Sequence, residues 1–499
     1  MPNPIINRRI VELSSGAYVM KDSDAIAYVT AISDIPTNSN YREAIDRLVI
    51  GHKSNSLWTS LQWAFISPPT MSILAHLTNI KDAVLNGSAS VAGNLVYPQN
   101  FPSGMAFESL RTQRYQPNVT ITSTADSSAF IWANLENKAQ STGDAFGALN
   151  VSASQAFIVQ ERNASDNVVG RAFDSTNQIN STNSTTKNLC VLNRNASNYL
   201  EYVKAGSVTY TNTGIHTGTV PTRPIFLGCL NNNATASNYT DGIYPLFANY
   251  LGLSLTDRAI VIDLWEEFFT IIGLMSGANI SFSYKVILDG NSLTTYDGDG
   301  GGSPSHRMIK KCLYDLASVN KIPVARSIGL GGQVSSTLNT NFASKVVPLL
   351  DAAANTIYIP WEITNDFRAN GNTTTAESNY WTLCDTAQAA GFTVIAVTIV
   401  ARDFTGNAAG LSETDYNLGM NTINQSIRAN WASHADYLCD ITNINLWVDR
   451  SNYASDAAYN TAISTIVNNA TYYLDGTHLK NTGYDIVATT LYNVLNRII

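Results

Sequence analysis

The stretch Tyr284-Lys285-Val286-Ile287-Leu288-Asp289-Gly290-Asn291-Ser292-Leu293-Thr294 sets a short apolar run directly before a polar, glycine-containing turn. A run such as Val286 to Leu288, apolar without alternation, predicts a strand buried on both faces, the signature of a parallel sheet. The same texture recurs at Ile322 to Ala325, Ile357 to Ile359 and Val394 to Val400. Amphipathic segments lie between these runs. One carries Ile309, Leu313 and Leu316 at helical spacing, and a second runs from a Thr374-x-x-Glu377 capping box toward a stop at Gly391. The last sets Tyr484, Val487, Leu491, Val494 and Ile498 on one face. Alternating strands and helices predict a doubly wound α/β domain over residues 284–499, with its site at the carboxyl ends of the strands.

Ser292 stands in the turn after the first of those strands, where such a sheet builds its sites. A serine hydroxyl is a weak nucleophile until a base takes its proton, and the chain offers one at Asp475-Gly476-Thr477-His478, just before the final helix. A carboxylate holding the Nδ1 proton of His478 would leave Nε2 free to accept the serine proton. Acyl transfer also needs donors for the developing oxyanion. Gly329-Leu330-Gly331-Gly332 allows close backbone approach, and Trp361-Glu362-Ile363-Thr364-Asn365-Asp366 offers an amide NH2; each comes after a predicted strand.

Taken in order, Ser292, Gly332, Asn365 and His478 resemble the four blocks of the SGNH (GDSL-like) hydrolases over residues 284–499. The resemblance implies Ser292 as nucleophile, His478 as base and Asp475 as its orienter. The backbone N–H of Ser292, that of Gly332 and the side chain of Asn365 would form the oxyanion hole. It implies no metal and no cofactor. Two positions depart from the pattern: Asn291 stands where the family usually has Asp, and Ile363 where it usually has Gly. The second departure predicts added bulk near the oxyanion site. Tyr296, Arg326, Trp361 and Arg402 are candidate substrate contacts by their proximity to the blocks. His306 is the one competing histidine close to Ser292 in sequence, and Asp297, Asp299 and Gly300 to Gly302 lack the spacing of a calcium loop and read as a rim.

Upstream the texture differs. Ala25, Val29 and Ile32, then Ala44, Leu48 and Ile50, sit at helical spacing, so residues 1–70 read as a small α-helical N-terminal module, with Trp58, Leu61 and Trp63 packing it onto the next domain. Over residues 71–277 short runs such as Val119 to Ile121, Phe157 to Val159, Val168 to Phe173 and Ile225 to Leu227 alternate with Asn, Ser, Thr and Gly clusters, which predicts a β-sandwich. Thr256 is placed to cap a helix carrying Ile260, Leu264 and Phe268. Asp24-Ala-Ile-Ala-Tyr28, Ala44-Ile-Asp-Arg-Leu-Val49, Ser56-Leu-Trp58, Leu77-Thr-Asn-Ile-Lys-Asp82, Phe226-Leu-Gly-Cys-Leu-Asn231 and Leu255-Thr-Asp257 resemble the concanavalin-like (laminin-G-type) jelly-roll modules of bacteriophage tail and fibre proteins. The chain therefore reads as multidomain, with an exposed linker expected at residues 273–283 and independent folding on either side.

The chain has 499 residues, 44% of them hydrophobic and only 14% charged, and a formal net charge of -8. No concentrated basic face appears, which argues against nucleic acid as a partner. No segment is long and apolar enough to insert in a membrane, and the residues after Arg8 and Arg9 do not read as a signal peptide. Five widely spaced cysteines, Cys190, Cys229, Cys312, Cys384 and Cys439, read as reduced and mostly buried. The two resemblances together imply a serine esterase removing acyl groups, O-acetyl first among them, from a bacterial surface glycan. They set it in the virion, as part of a phage tail fibre or spike made in the host cytoplasm, with other tail proteins as partners and a homotrimer by analogy. The alternative is a receptor-binding or structural virion protein whose hydrolase domain is degenerate.

Overall fold

The computed structural model describes residues 18–32, 35–36, 40–69 and 78–81, the strands and short turns between 99 and 237, and 242–499 apart from 277–278 and 296–305. The expected strand at Val119 to Ile121, the rim residues Asp297 to Gly302, Tyr296 and Cys229 lie outside the described residues, as does the side chain of His306.

From Tyr284 onward five strands form one parallel sheet: β1 (Tyr284–Gly290), β2 (Val324–Ser327), β3 (Asn355–Trp361), β4 (Thr393–Val397) and β5 (Tyr437–Cys439). Their spatial order is β2-β1-β3-β4-β5. The chain therefore reverses its direction of winding between β1 and β3, and open α/β sheets bind ligands at that switch point. The central strands carry unbroken apolar runs, Val286 to Leu288 and Ile357 to Ile359, because both faces of the sheet are covered there. On one side Leu288, Ile359, Val397 and Cys439 meet Met308 of α4 (His306–Ser318) and Val487 and Leu491 of α10 (Asn481–Ile498). On the opposite pleat Tyr358 packs edge-on against Phe342 of α5 (Ser335–Lys345), with ring centroids 5.7 Å apart.

Helix starts differ in detail from the expected caps. After the short α6 (Thr364–Asn370), α7 (Thr373–Ala389) is capped by Asn372, whose side chain accepts from Thr375 N–H, and not by Thr374. Glu377 instead accepts from Ser426 of α8 (Glu413–Asn430), and Asn417 of α8 donates at 3.0 Å to Asn460 of α9 (Asp456–Val467). Gly391 ends α7 at φ +99° as expected. Likewise Ser254, not Thr256, caps α3 (Leu255–Ile271) by accepting from Asp257 N–H. In both corrected caps the residue is the one whose oxygen reaches the N–H three positions on.

Upstream, two sheets face each other. One runs in the order Leu61–Ile66, Leu246–Tyr250, Ser128–Asn134, Asn188–Ala196, Tyr199–Lys204, Ser207–Asn212, with antiparallel neighbours. The other includes Phe146–Leu149, Ala156–Gln160, Asn167–Ala172 and Ile179–Thr182. Trp63, Phe130, Trp132 and Phe247 from the first meet Val159, Val168 and Ile179 from the second in a single apolar core.

Two expectations about boundaries are corrected. Residues 61–66 are a strand of this sheet, so the helical segment stops before residue 70. The helices α1 (Ser23–Ile32) and α2 (Asn40–Ser54) share a core with α3 and with the outer face of the sheet, because the apolar face of a helix is buried only against another element. The second correction concerns residues 273–283: Leu274, Met275, Ile280 and Phe282 are buried, not exposed. Beside them Glu136 pairs with Lys285 at 2.6 Å and with Arg326, and Lys187 pairs with Asp351 at 2.8 Å. The β-rich part thus lies against β2, an edge strand whose unpaired groups would otherwise be open.

Candidate active site

The turn after β1 is pinned from several directions. Gly290 has φ +144°, and a Cβ there would stand 2.4 Å from the Trp361 carbonyl oxygen, so the close approach of β1 and β3 requires glycine. Asn291 is buried and its Oδ1 accepts from Leu293 N–H at 2.8 Å, while its carbonyl takes the N–H groups of Thr294 and Thr295 at 3.0 and 3.1 Å. Asp289 accepts from Gly290 N–H at 2.8 Å and from the Tyr358 hydroxyl at 2.7 Å. These bonds leave Ser292 half-buried at the carboxyl end of the sheet.

The loop before α10 brings the other half. A bridge between Tyr473 and Leu479, with Leu474 N–H on the His478 carbonyl at 2.8 Å, folds residues 473–479 back on themselves. Asp403 N–H on the Gly476 carbonyl at 2.8 Å and the Tyr473 hydroxyl on the Ala401 carbonyl at 2.9 Å dock this loop on the segment after β4. In this setting His478 Nε2 lies 2.9 Å from Ser292 Oγ, and His478 Nδ1 lies 2.8 Å from Asp475 Oδ2. Asp475 Oδ1 accepts from the N–H groups of Thr477 and His478 at 3.0 and 2.7 Å. Partial burial would raise its pKa, but the His478 ring and these two N–H groups outweigh it and hold Asp475 below the usual carboxylate range.

Gly332 lies in an exposed turn after β2 at φ +76°. Asn365 reaches the same turn: its Nδ2 donates to the Gln333 carbonyl at 2.8 Å, and Asp366 accepts from the N–H and the hydroxyl of Ser335, both at 2.6 Å. Arg402 Nη1 donates to Asn365 Oδ1 at 2.7 Å. That bond fixes which end of the amide is the donor and leaves the second Nδ2 hydrogen for another acceptor.

The remaining candidates divide. Arg402 is partly exposed beside Asn365, and it holds that amide. Arg326 is 5% exposed and engaged with Glu136, so it supports the contact between the β-rich part and β2 and offers nothing to a glycan. Trp361 is 2% exposed, with its indole N–H on the Thr398 carbonyl at 3.1 Å, and belongs to the core. Both corrections have one cause: a residue inside a central or covered strand points into packing, however near the blocks it lies in sequence. Ile363 also lies in the core, and its φ of 176° is outside the left-handed region that favours glycine.

One group escaped the sequence reading. Glu362, 1% exposed, accepts from Asn291 Nδ2 through Oε2 and from Asn365 N–H at 2.8 Å through Oε1. Burial pushes its pKa well above the usual carboxylate range, against the pull of the Asn365 N–H, Arg402 and Asn291 and with the push of Asp366. The signal was present: a carboxylate directly after the strand that ends at Trp361, three residues before Asn365.

Neither a protein-family model nor a curated protein matches the chain. Among solved structures it is similar to a GDSL-like lipase from Bacteroides thetaiotaomicron, 18% identical, covering 43% of this chain and 89% of that one, with a TM-score of 0.30. An acetyl xylan esterase is 20% identical, covering 42% and 99%, with a TM-score of 0.29. A lipase/acylhydrolase from Enterococcus faecalis is 15% identical, covering 43% and 96%, with a TM-score of 0.31.

Proposed function

We propose that residues 284–499 form a serine esterase that removes acyl groups from a carbohydrate. The observation that carries this reading is the line Asp475 Oδ2, His478, Ser292 Oγ, with 2.8 and 2.9 Å contacts at the carboxyl end of a parallel sheet. Ser292 Oγ attacks the ester carbonyl as His478 Nε2 takes its proton, and the imidazolium is stabilised by Asp475. Negative charge forms on the carbonyl oxygen, where the N–H groups of Ser292 and Gly332 and the free Nδ2 hydrogen of Asn365 are the donors. Collapse expels the alcohol, protonated by His478, and leaves acyl-Ser292. A water, deprotonated by the same imidazole, then releases the acid.

The substrate class we propose is an O-acetylated bacterial surface polysaccharide, with the chain part of a phage tail fibre or spike, other tail proteins its neighbours and a homotrimer its assembly. Support for that setting comes from the resemblance of the upstream segments to jelly-roll modules of tail proteins and from the low charge of the chain. The second reading, a receptor-binding or structural virion protein with a degenerate hydrolase domain, rests on Ile363 standing where the resembled family has Gly, a side chain that here lies in the core.

The test compares wild type with Ser292→Ala on p-nitrophenyl acetate and on an acetylated polysaccharide, following acetate release. Loss of turnover by several orders of magnitude in the variant is expected. Equal rates in the two proteins would overturn the esterase reading, and hydrolysis of the small ester without any acetate from the polysaccharide would overturn the glycan.

A further inference from the structure

Asn291 and Glu362 are both 1% exposed and face each other below the Ser292 turn. They come from the ends of β1 and β3, which pair in register from Tyr284 with Asn355 to Gly290 with Trp361. The Asn291 oxygen is already committed to Leu293 N–H at 2.8 Å, so only its NH2 end is left to meet Glu362 and, at 3.3 Å, the Thr364 hydroxyl. The far oxygen of Glu362 accepts from Asn365 N–H at 2.8 Å. One carboxyl group therefore joins the residue before the candidate nucleophile to the residue that offers the side-chain oxyanion donor.

We propose that Glu362 is a positioning residue that fixes Ser292 relative to Asn365, and that position 291 must carry a hydrogen-bond donor because Glu362 faces it. The inference rests on the esterase reading above. It accounts for Asn291 where the resembled family has Asp: an aspartate would set a second carboxyl against a buried one, and two such groups cannot both ionise. The charged groups that act on Glu362 are Asp366, at the start of α6, and Arg402, after β4.

The geometry makes the pair exchangeable. When Asn291→Asp is combined with Glu362→Gln, the new amide oxygen at position 362 accepts from Asn365 N–H and its NH2 donates to the new carboxylate at position 291. Leu293 N–H keeps its acceptor. Either single change breaks the pattern. Glu362→Gln alone points an NH2 at either Asn291 Nδ2 or Asn365 N–H, donor against donor, and Asn291→Asp alone sets carboxyl against carboxyl.

The experiment measures kcat and KM for p-nitrophenyl acetate across the neutral pH range, together with thermal unfolding, in the full chain and the three variants. Each single variant should lose kcat by about tenfold or more with KM little changed, and the double variant should return to within about threefold of wild type. Asn291→Asp alone should lose activity as pH rises and the pair gives up its shared proton, a limb absent from wild type and from the double variant. Additive losses in the double variant, or single variants with lowered Tm but unchanged kcat and pH profile, would overturn the proposal. If wild type hydrolyses no ester, the esterase reading and the positioning role fall together, and Tm still decides the pairing: recovery in the double variant supports it, additive loss refutes it.

Discussion

Replacing Asp475 by Asn separates two jobs that one carboxylate performs. Its Oδ1 takes the N–H groups of Thr477 and His478, and its Oδ2 takes the His478 ring. In Asp475→Asn the amide oxygen belongs on the two backbone donors, which no NH2 can replace, so the NH2 falls opposite His478 Nδ1. That nitrogen must then present a lone pair, and the ring proton moves to Nε2, the atom 2.9 Å from Ser292 Oγ. A protonated Nε2 cannot accept the serine proton. The fold of the loop is kept while the base is lost, so Tm should move little and kcat should fall by about 10⁴-fold, or about 5.5 kcal/mol of barrier. Steady-state hydrolysis of p-nitrophenyl acetate, with thermal unfolding as control, reads both numbers. Activity within about tenfold of wild type in a folded Asp475→Asn protein would refute the tautomer argument and with it the role of Asp475.

Three other outcomes rest on particular contacts. Asn365→Ala should lower kcat by about 10²- to 10³-fold with little change in KM, since the lost donor acts on charge present only in the transition state. Gly290→Ala adds a Cβ 2.4 Å from the Trp361 carbonyl at φ +144° and should destabilise the chain by about 2–5 kcal/mol, measured by denaturant unfolding. Glu136→Gln removes the buried carboxylate that pairs with both Lys285 and Arg326 and should cost about 3–5 kcal/mol on the same assay. Burial alone would raise the pKa of Glu136, but Arg326 and Lys285 outweigh it and lower the value from 4.5 to about 2. Its stabilising contribution is thus complete above about pH 4.5 and is lost as pH falls toward about 2, a window in which wild-type Tm should drop and Glu136→Gln should drop less.

Sequence alone determined what local chemistry can determine. Unbroken apolar runs such as Val286 to Leu288 specify strands buried on both faces, and the spacing of Ile309, Leu313 and Leu316 specifies a helix with one covered side, because burial of a continuous or periodic apolar face is a property of neighbouring residues. The same logic singled out Ser292, Asn365, Asp475 and His478, polar groups in turns at strand and helix ends, as the groups able to do chemistry. It went astray at Arg326, Trp361 and the stretch 273–283, where exposure depends on what a distant part of the chain lays on top. Tertiary structure decided those cases, and it decided the site. Ser292 and His478 are 186 positions apart, and only the parallel sheet with its reversal between β1 and β3 brings them to 2.9 Å. Glu362 gained its meaning in the same way: a carboxyl group is an ordinary solvated charge until packing removes the water and leaves it the NH2 of Asn291 after β1 and the N–H of Asn365 in α6.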